Sequence, residues 1–237
     1  MTGSTYKSQS PIIIALDVPG AEEARGLVRA IDEAANFYKV GLELFTAAGP
    51  EFVRELKAQG HRVFLDLKLH DIGETVKRAV AQVVKLGPDF VTIHATGQVM
   101  RAAVESRGDA PLKLLAVGVL TSLDDADLAE DGYSCGAAEL VERRARNAMA
   151  AGVDGIVCSP REVARVREIT GAKMILLNPG VRSAGTSTGD QKRVATPAEA
   201  IAAGADYIVV GRQVTRAKDA RAETLRIMDE ISAKAAK

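Results

Sequence analysis

Short apolar runs alternate along this chain with longer stretches whose apolar residues recur at helical spacing. Runs such as 12–16 have no polar alternation, which is typical of parallel strands buried on both faces. Most of the longer stretches end near Gly or Pro, as helices do. The predicted strands are 12–17, 37–41, 63–68, 90–95, 113–120, 155–159, 173–178 and 207–210, and the predicted helices are 21–35, 50–59, 72–86, 98–107, 136–151, 161–169, 197–203 and 220–235.

Strands that alternate with helices in this way form right-handed βαβ units and a parallel sheet. Eight such units in 237 residues, close to the ~250 residues typical of the fold, favour an α/β class protein with a closed (β/α)8 TIM barrel. An open doubly wound sheet is the rival, but no Gly-x-Gly-x-x-Gly follows the first strand. We therefore expect a polar N-terminal tail over residues 1–10 and one barrel domain over 11–237.

In a barrel of this kind, function lies at the C-terminal ends of the strands. Polar or charged residues follow nearly every predicted strand, whereas the strand starts show no comparable pattern. The residues at these ends are Asp17, Lys39, Asp66 with Lys68, His94, Thr121 with Ser122, Ser159, Asn178 and Gly211 with Arg212. A ring of polar side chains at one mouth predicts a functional site there.

The segment Phe64–Ile72 carries the densest cluster of charge. Residues two apart on a strand point to the same face, so Asp66 and Lys68 are expected to project together, with Asp71 following at the turn. Burying two charges is costly, and an ion pair often fails to offset that cost. Alone, the pair would fit a structural role about as well as a catalytic one; the surrounding polar ring favours catalysis.

Two loops predict a phosphate site, which barrels commonly build after strands seven and eight. Gly211 would let backbone N–H groups approach an anion, and Arg212 could form two parallel hydrogen bonds with its oxygens. The loop 180–194 is rich in Gly and hydroxyl residues and contains Arg182. It could be a surface excursion, but beside a phosphate site we expect a closing lid.

Composition excludes several classes of protein. The 31 Lys and Arg residues balance the 31 Asp and Glu residues, which argues against general binding of nucleic acid or anionic membranes. No apolar run approaches the ~20 residues of a membrane span, and the first ten residues are polar, so a cytoplasmic protein is expected. The acidic run 124–131 is interpreted as a solvated loop.

These motifs resemble the orotidine 5'-monophosphate decarboxylase family over nearly the whole chain. Asp66–Ile72 matches the family's Asp-x-Lys-x-x-Asp-Ile signature. The other matching segments are 16–17, 38–41, 179–182, 189–191 and 211–212. The chain departs from the common pattern at Glu74, Asn178 and Gln213, none of which is a core catalytic position.

The resemblance implies cofactor-independent and metal-independent decarboxylation of orotidine 5'-monophosphate to uridine 5'-monophosphate, the last step of pyrimidine synthesis. It implies catalytic roles for Lys39, Asp66, Lys68 and Asp71, with Lys68 protonating a carbanion at C6. It further implies a homodimer in which Asp71 and Thr75 reach into the partner's site. The substrate-binding residues would be Asp17, Lys39, Thr75, Thr121, Pro179, Arg182, Gln191, Gly211 and Arg212.

Three other functions are weighed against this one. A metal-dependent sugar-phosphate decarboxylase or aldolase would need an acid on the second strand to help hold Mg²⁺, where Lys39 would repel a cation. A Schiff-base aldolase needs a neutral lysine, whereas Asp66 and Asp71 would favour the ammonium form of Lys68. A non-catalytic phosphate-binding barrel would bind nucleotides without turnover.

Overall fold

The computed structural model describes residues 10–185 and 195–235, and eight parallel strands form its closed barrel. Each strand pairs with the next along the chain, and the eighth pairs with the first. The strands are β1 (Ile12–Ala15), β2 (Phe37–Gly41), β3 (Arg62–Leu69), β4 (Phe90–His94), β5 (Lys113–Val117), β6 (Gly155–Val157), β7 (Ile175–Asn178) and β8 (Tyr207–Val210). The predicted (β/α)8 barrel is confirmed.

Helices connect the strands and surround the barrel. They are α1 (Ala21–Ile31), α2 (Leu42–Ala58), α3 (Gly73–Leu86), α4 (Gly97–Arg107), α5 (Asp125–Glu130), α6 (Ala137–Ala151), α7 (Val163–Thr170), α8 (Pro197–Ala202), α9 (Arg212–Thr215) and α10 (Ala220–Ala235). Two short 3₁₀ helices cover Asp32–Ala34 and Gly171–Lys173. Across the described ranges, no helix combines the length and apolar character needed to cross a membrane.

The apolar core has two layers, one inside the barrel and one between the strands and the helices. The inner layer is a cluster of residues from seven of the strands, with Val157 of β6 packed against it, and comprises Ile13, Ala15, Phe37, Phe64, Phe90, Leu115, Leu177 and Val209. The outer layer is larger and includes the buried faces of α1, α3 and α6. These inner residues fill the interior of the barrel below its C-terminal mouth.

Three local expectations were wrong. Helix α2 begins at Leu42 rather than at residue 50, with a non-helical Gly49 (φ 66°) at the kink before Pro50. The acidic run 124–131 is not a plain loop but contains α5. A capping box begins this helix: the Asp124 carboxylate accepts the Asp127 backbone N–H, and the Asp127 carboxylate accepts the Asp124 backbone N–H. The short helix α9 was also not predicted.

The expectation that strand starts carry no polar pattern was wrong as well. An aspartate stands immediately before β4, β6 and β8, and each carboxylate accepts a backbone N–H from the preceding strand region. The bonds run from Val63 to Asp89 (2.8 Å), from Leu114 to Asp154 (3.0 Å) and from Leu176 to Asp206 (2.7 Å). Each aspartate also forms an ion pair with a lysine or arginine. These carboxylates therefore connect the strands at the N-terminal end of the barrel.

Of the predicted tail, residues 1–9 lie outside the described residues. Ser10 is described, and its hydroxyl accepts the backbone N–H of Ile12 at 3.3 Å, at the entrance to β1.

Candidate active site

Two adjoining cavities open at the C-terminal mouth of the barrel. One measures about 200 Å³ and the other about 460 Å³. Both are lined by Lys39, Asp66, Lys68, Pro179 and Val209, so the charged residues form the boundary between them. The predicted catalytic cluster thus lies where a ligand occupying both cavities would pass.

Four of the predicted residues form a chain of alternating charge. Lys39 Nζ lies 2.7 Å from Asp17 Oδ1 and 3.6 Å from Asp66 Oδ2. Lys68 Nζ lies 2.9 Å from Asp66 Oδ1. Lys39 and Asp66 are mostly buried, and Lys68 and Asp17 are more exposed. Each buried charge therefore has an opposite charge close to it, as burial requires.

The approach of Lys68 to Asp66 depends on a distortion of β3. The register between β3 and β4 shifts between Leu65 and Leu69, and Lys68 adopts φ 50°, which is uncommon for a residue with a side chain. Thr92 holds this distortion, because its Oγ1 accepts the Lys68 backbone N–H at 2.9 Å and donates to Asp66 Oδ1 at 2.8 Å. The pair is brought together by a bulge rather than by the simple strand alternation expected from the sequence.

Asp66 remains ionised in this setting. Burial raises the pKa of its carboxyl group, but the ammonium groups of Lys39 and Lys68 and the hydrogen bonds from Lys68 and Thr92 outweigh burial. The net result is a pKa below the ordinary value of 3.8. The mouth therefore presents a fixed anion between two lysines at neutral pH.

The smaller cavity is largely apolar. Its walls include Phe64, Val117 and Leu177, with Thr121 and Ser122 supplying hydroxyls at one side. An apolar pocket with a few placed polar groups is typical of sites for small planar ligands.

The larger cavity is cationic. Arg182, Arg212 and Arg216 line it together with Gly211, and Asp17 and Glu43 lie at its other side. Guanidinium groups form strong charge-assisted hydrogen bonds with phosphate oxygens. Arg182 and Arg212 were expected here from the sequence, whereas Arg216 was not, because no motif marks it.

Two predicted residues that the structure describes, Asp71 and Thr75, do not line these two cavities. Asp71 is exposed, its Oδ1 accepts the Ile72 backbone N–H at 2.6 Å, and it forms no ion pair within the described ranges. Thr75 lies half-buried on the first turn of α3. Gln191 lies outside the described residues, as does most of the predicted lid, whose described ends are bridged between Val181 and Ala195.

Two residues that shape the site, Thr92 and Gly41, were not predicted from the sequence. Thr92 interrupts the apolar run of β4, and that polar interruption was the available signal. Gly41 also shapes the site, because a Cβ there would lie 2.8 Å from Lys39 Nζ and 3.0 Å from Asp17 Oδ1. A glycine two residues after Lys39 leaves room for the ion pair, a reason that the sequence alone does not show.

A histidine pair lies beside the cluster. The rings of His70 and His94 stack with centroids 4.4 Å apart and an interplanar angle of 19°. Burial lowers the pKa of His94 below its ordinary 6.5, and the positive charges of His70, Arg144 and Lys68 lower it further. His94 is therefore a neutral ring that packs against the segment between Lys68 and Asp71.

Comparison with known proteins gives a consistent result. The model of the family described as "Orotidine 5'-phosphate decarboxylase / HUMPS family" matches residues 10–227. An orotidine 5'-phosphate decarboxylase of Rhodopseudomonas palustris (strain BisA53) is 52% identical over 225 residues, which cover 95% of this chain and 96% of the relative. The same-named protein of Afipia carboxidovorans is 50% identical over 232 residues, covering 98% and 99% of the two chains.

Solved structures agree with the sequence relatives. The crystal structure of orotidine 5'-phosphate decarboxylase from Lactobacillus acidophilus is similar with a TM-score of 0.82 at 35% identity, covering 93% of this chain and 98% of that one. An uncharacterized conserved protein from Geobacillus kaustophilus gives a TM-score of 0.80 at 38% identity, covering 93% and 100%.

Proposed function

Since the chain belongs to the orotidine 5'-phosphate decarboxylase / HUMPS family, we propose that it decarboxylates orotidine 5'-monophosphate to uridine 5'-monophosphate in pyrimidine synthesis. The observation that carries this proposal is the chain Asp17–Lys39–Asp66–Lys68 at the boundary between an apolar and a cationic cavity. A nucleotide matches this pair of cavities, because it has an uncharged base at one end and a phosphate at the other.

The cavities suggest how the substrate lies. The pyrimidine would occupy the smaller cavity, with Thr121 at its edge and Pro179 between the two cavities. The phosphate would occupy the larger cavity, held by Arg182, Arg212 and the backbone at Gly211. Asp17 and Lys39 lie between these ends and would hold the ribose hydroxyls.

The charge cluster accounts for the bond that breaks. The C6 carboxylate of the substrate would lie against Asp66, so that two anions come into contact in the bound state. When the bond to C6 breaks, CO2 leaves and the electron pair stays on C6. The Lys68 ammonium stabilises that pair and donates its proton to C6, and the lysine then regains a proton from water.

Lys39 and Asp66 keep the transferring group in place. Asp66 stays ionised and holds the Lys68 ammonium group in an ion pair at 2.9 Å. Lys39 neutralises the second oxygen of Asp66 and connects it to Asp17. The remote phosphate would contribute binding energy that is used at the reacting centre.

We include a homodimer with shared sites in the proposal. Asp71 is exposed and does not line the two cavities of its own chain, and the adjacent Ile72 is 65% exposed. A partner subunit would cover Ile72 and receive Asp71 and Thr75 in its own site. The partner's Asp71 would then complete the alternating charges around Lys68.

The shared site has a direct test by subunit mixing. Asp71→Ala and Lys68→Ala homodimers are each expected to be inactive. Random exchange in a two-fold dimer makes half of the molecules mixed, each with one intact site, so about one quarter of wild-type activity should return. No recovery after proven subunit exchange would contradict the shared site but not the reaction.

The reaction is tested by the ultraviolet absorbance of orotidine 5'-monophosphate mixed with the protein in excess EDTA. We expect conversion to uridine 5'-monophosphate. Conversion that needs added Mg²⁺ would favour the metal-dependent alternative, and nucleotide binding without turnover would favour a binding protein. Trapping of substrate on Lys68 by borohydride would favour a Schiff-base enzyme.

A further inference from the structure

The residues that follow the two cavity arginines are hydrogen-bonded to each other. Ser183 follows Arg182 and Gln213 follows Arg212, 30 positions apart in the chain. Gln213 Oε1 accepts the Ser183 backbone N–H at 3.1 Å, and Gln213 Nε2 donates to Ser183 Oγ at 2.9 Å. We call this reciprocal pair the Ser183–Gln213 clasp.

Helix α10 supports the clasp with charged groups. Ser183 Oγ donates to Glu230 Oε2 at 2.6 Å and accepts from Arg226 Nη2 at 2.8 Å. Gln213 Nε2 donates to Glu223 Oε1 at 2.8 Å, and Arg226 bonds the same carboxylate oxygen at 2.8 Å. The clasp is therefore fixed to a helix that lies outside the barrel.

The hydrogen bonds of the Ser183 and Gln213 side chains fix the orientation of both groups. The buried Ser183 hydroxyl makes one donated and two accepted bonds. Both Nε2 protons of Gln213 have acceptors, and its Oε1 has a donor. A rotated amide would place N–H against the Ser183 N–H and oxygen against Glu223, so the network permits one arrangement.

We propose that Ser183 and Gln213 are positioning residues that hold Arg182 and Arg212 at a fixed spacing for one phosphate group. This inference rests on the proposed function for the nature of the ligand. Each arginine is adjacent in the chain to one member of the clasp, so the clasp sets the separation of the two backbone segments that carry them.

A purely structural role for the clasp makes a different prediction. If it only fastened α10 to the barrel, its loss would lower stability and weaken all ligands alike. If it positions the arginines, its loss weakens a phosphorylated ligand and leaves the matching nucleoside unaffected. The informative quantity is thus the ratio of the dissociation constants of uridine and uridine 5'-monophosphate.

The test is calorimetric titration of Gln213→Leu and Ser183→Ala with these two ligands. Gln213→Leu has a similar volume and loses all three side-chain bonds, so we expect uridine 5'-monophosphate to bind about tenfold more weakly. Uridine binding should change by less than about twofold. Because both residues belong to the clasp, the double variant should lose less affinity for uridine 5'-monophosphate than the product of the two single fold-changes.

Thr224→Val is the matched control. Thr224 is buried on the same helix, and its hydroxyl donates to the Ala220 carbonyl at 2.7 Å without contacting the clasp. This variant also loses one buried hydrogen bond, yet we expect the preference for the phosphorylated ligand to remain. Thermal unfolding of all variants shows whether each is folded at the titration temperature.

Each outcome has a defined meaning. An unchanged ratio in folded Gln213→Leu, or equal weakening of both ligands, would overturn the positioning role. A wild-type protein that does not prefer the phosphorylated ligand would remove the phosphate site and this inference together. If wild type shows the preference, Gln213→Leu loses it and yet no decarboxylation occurs, the inference stands and the proposed reaction fails.

Discussion

Asp66 and Asp154 lie at opposite ends of the barrel in similar surroundings. Their side chains are 14% and 15% exposed, and each faces a lysine, Lys68 at 2.9 Å and Lys113 at 3.1 Å. They differ in what else holds them. Asp154 accepts the backbone N–H of Leu114, whereas the hydrogen bonds of Asp66 within the described ranges come from side chains.

This difference separates a carboxylate that is bonded into the sheet from one that faces a cavity, as the role proposed for Asp66 requires. Asp154 is bonded into the sheet itself, as are Asp89 and Asp206 at the same end. Asp66 is supported by lysines and a threonine that line a cavity, so it remains directed towards a ligand. A charged residue at a strand end therefore does not by itself indicate a functional site. Whether its carboxylate accepts a backbone N–H of the sheet is the feature that distinguishes the two ends.

The largest expected effect is that of Lys68→Ala compared with Lys113→Ala. In the proposed mechanism Lys68 is both the proton donor and the charge that stabilises the carbanion, so its removal should lower kcat/KM by at least about 10⁴-fold. Lys113→Ala removes the matching lysine at the other end and should leave kcat/KM within about twofold. Steady-state kinetics with orotidine 5'-monophosphate measures both; comparable losses in the two variants would contradict the division between the ends.

The second prediction compares Asp154→Asn with Asp66→Asn. Asp154→Asn leaves Arg107 with a mostly buried and uncompensated charge, so the free energy of unfolding should fall by about 3 kcal/mol, measured in urea. Asp66→Asn should lower it less, because Lys39 keeps Asp17 as a partner at 2.7 Å and Lys68 is 30% exposed to water.

Activity should show the reverse order. Asp66→Asn should lower turnover by at least about 100-fold, and folded Asp154→Asn should stay near the wild-type rate. Equal effects of the two variants on both quantities would mean that backbone bonding does not distinguish the two roles.

Much of this architecture could be predicted from the sequence. The eight apolar runs specify buried parallel strands, and the polar residues after them indicate the mouth of the barrel. Asp17, Lys39, Asp66, Lys68, Arg182 and Arg212 were all expected at the site and all line its cavities. Their positions could be predicted because strand order alone determines which strand ends meet at the mouth, whereas their roles remain predictions.

The parts that could not be predicted depend on geometry between distant segments. The bulge at Lys68 is held by Thr92, 24 positions away, and no local pattern indicates it. The aspartates at the N-terminal end look like ordinary loop residues until their N–H partners on neighbouring strands are known. The Ser183–Gln213 clasp likewise appears only when two loops lie side by side.

A smaller effect is expected for Gly41→Ala, which tests how tightly the mouth is built. The new Cβ would displace Lys39 Nζ or Asp17 Oδ1, both of which are ends of movable side chains. We expect kcat/KM to fall about tenfold, with the stability in urea little changed. Gly26→Ala is the control, since the Cβ that it adds would meet no other part of the molecule within 4 Å. This variant should leave kcat/KM unchanged. Wild-type kinetics in Gly41→Ala would show that the ion pair tolerates displacement.

The smallest expected effect concerns His94, which is held neutral beside the cluster. Because its folded-state pKa lies below the ordinary 6.5, the unfolded chain takes up the proton first as the pH falls. This histidine thus has no effect on stability above about pH 7 and lowers stability as the pH falls below 6.5. His94→Phe keeps a ring against His70 but does not titrate.

The measurement is the free energy of unfolding of wild type and His94→Phe in urea between pH 7 and pH 5. Over this range we expect the free energy of unfolding to fall further for wild type than for His94→Phe. The difference should be less than about 1 kcal/mol, because the ring is only partly buried. Asp66 does not interfere, since its folded pKa lies below 3.8 and its stabilising effect is lost only as the pH falls through that lower range. Parallel curves would mean that burial and the neighbouring charges do not hold His94 neutral, and a steeper curve for the variant would mean that the pKa of His94 is raised rather than lowered.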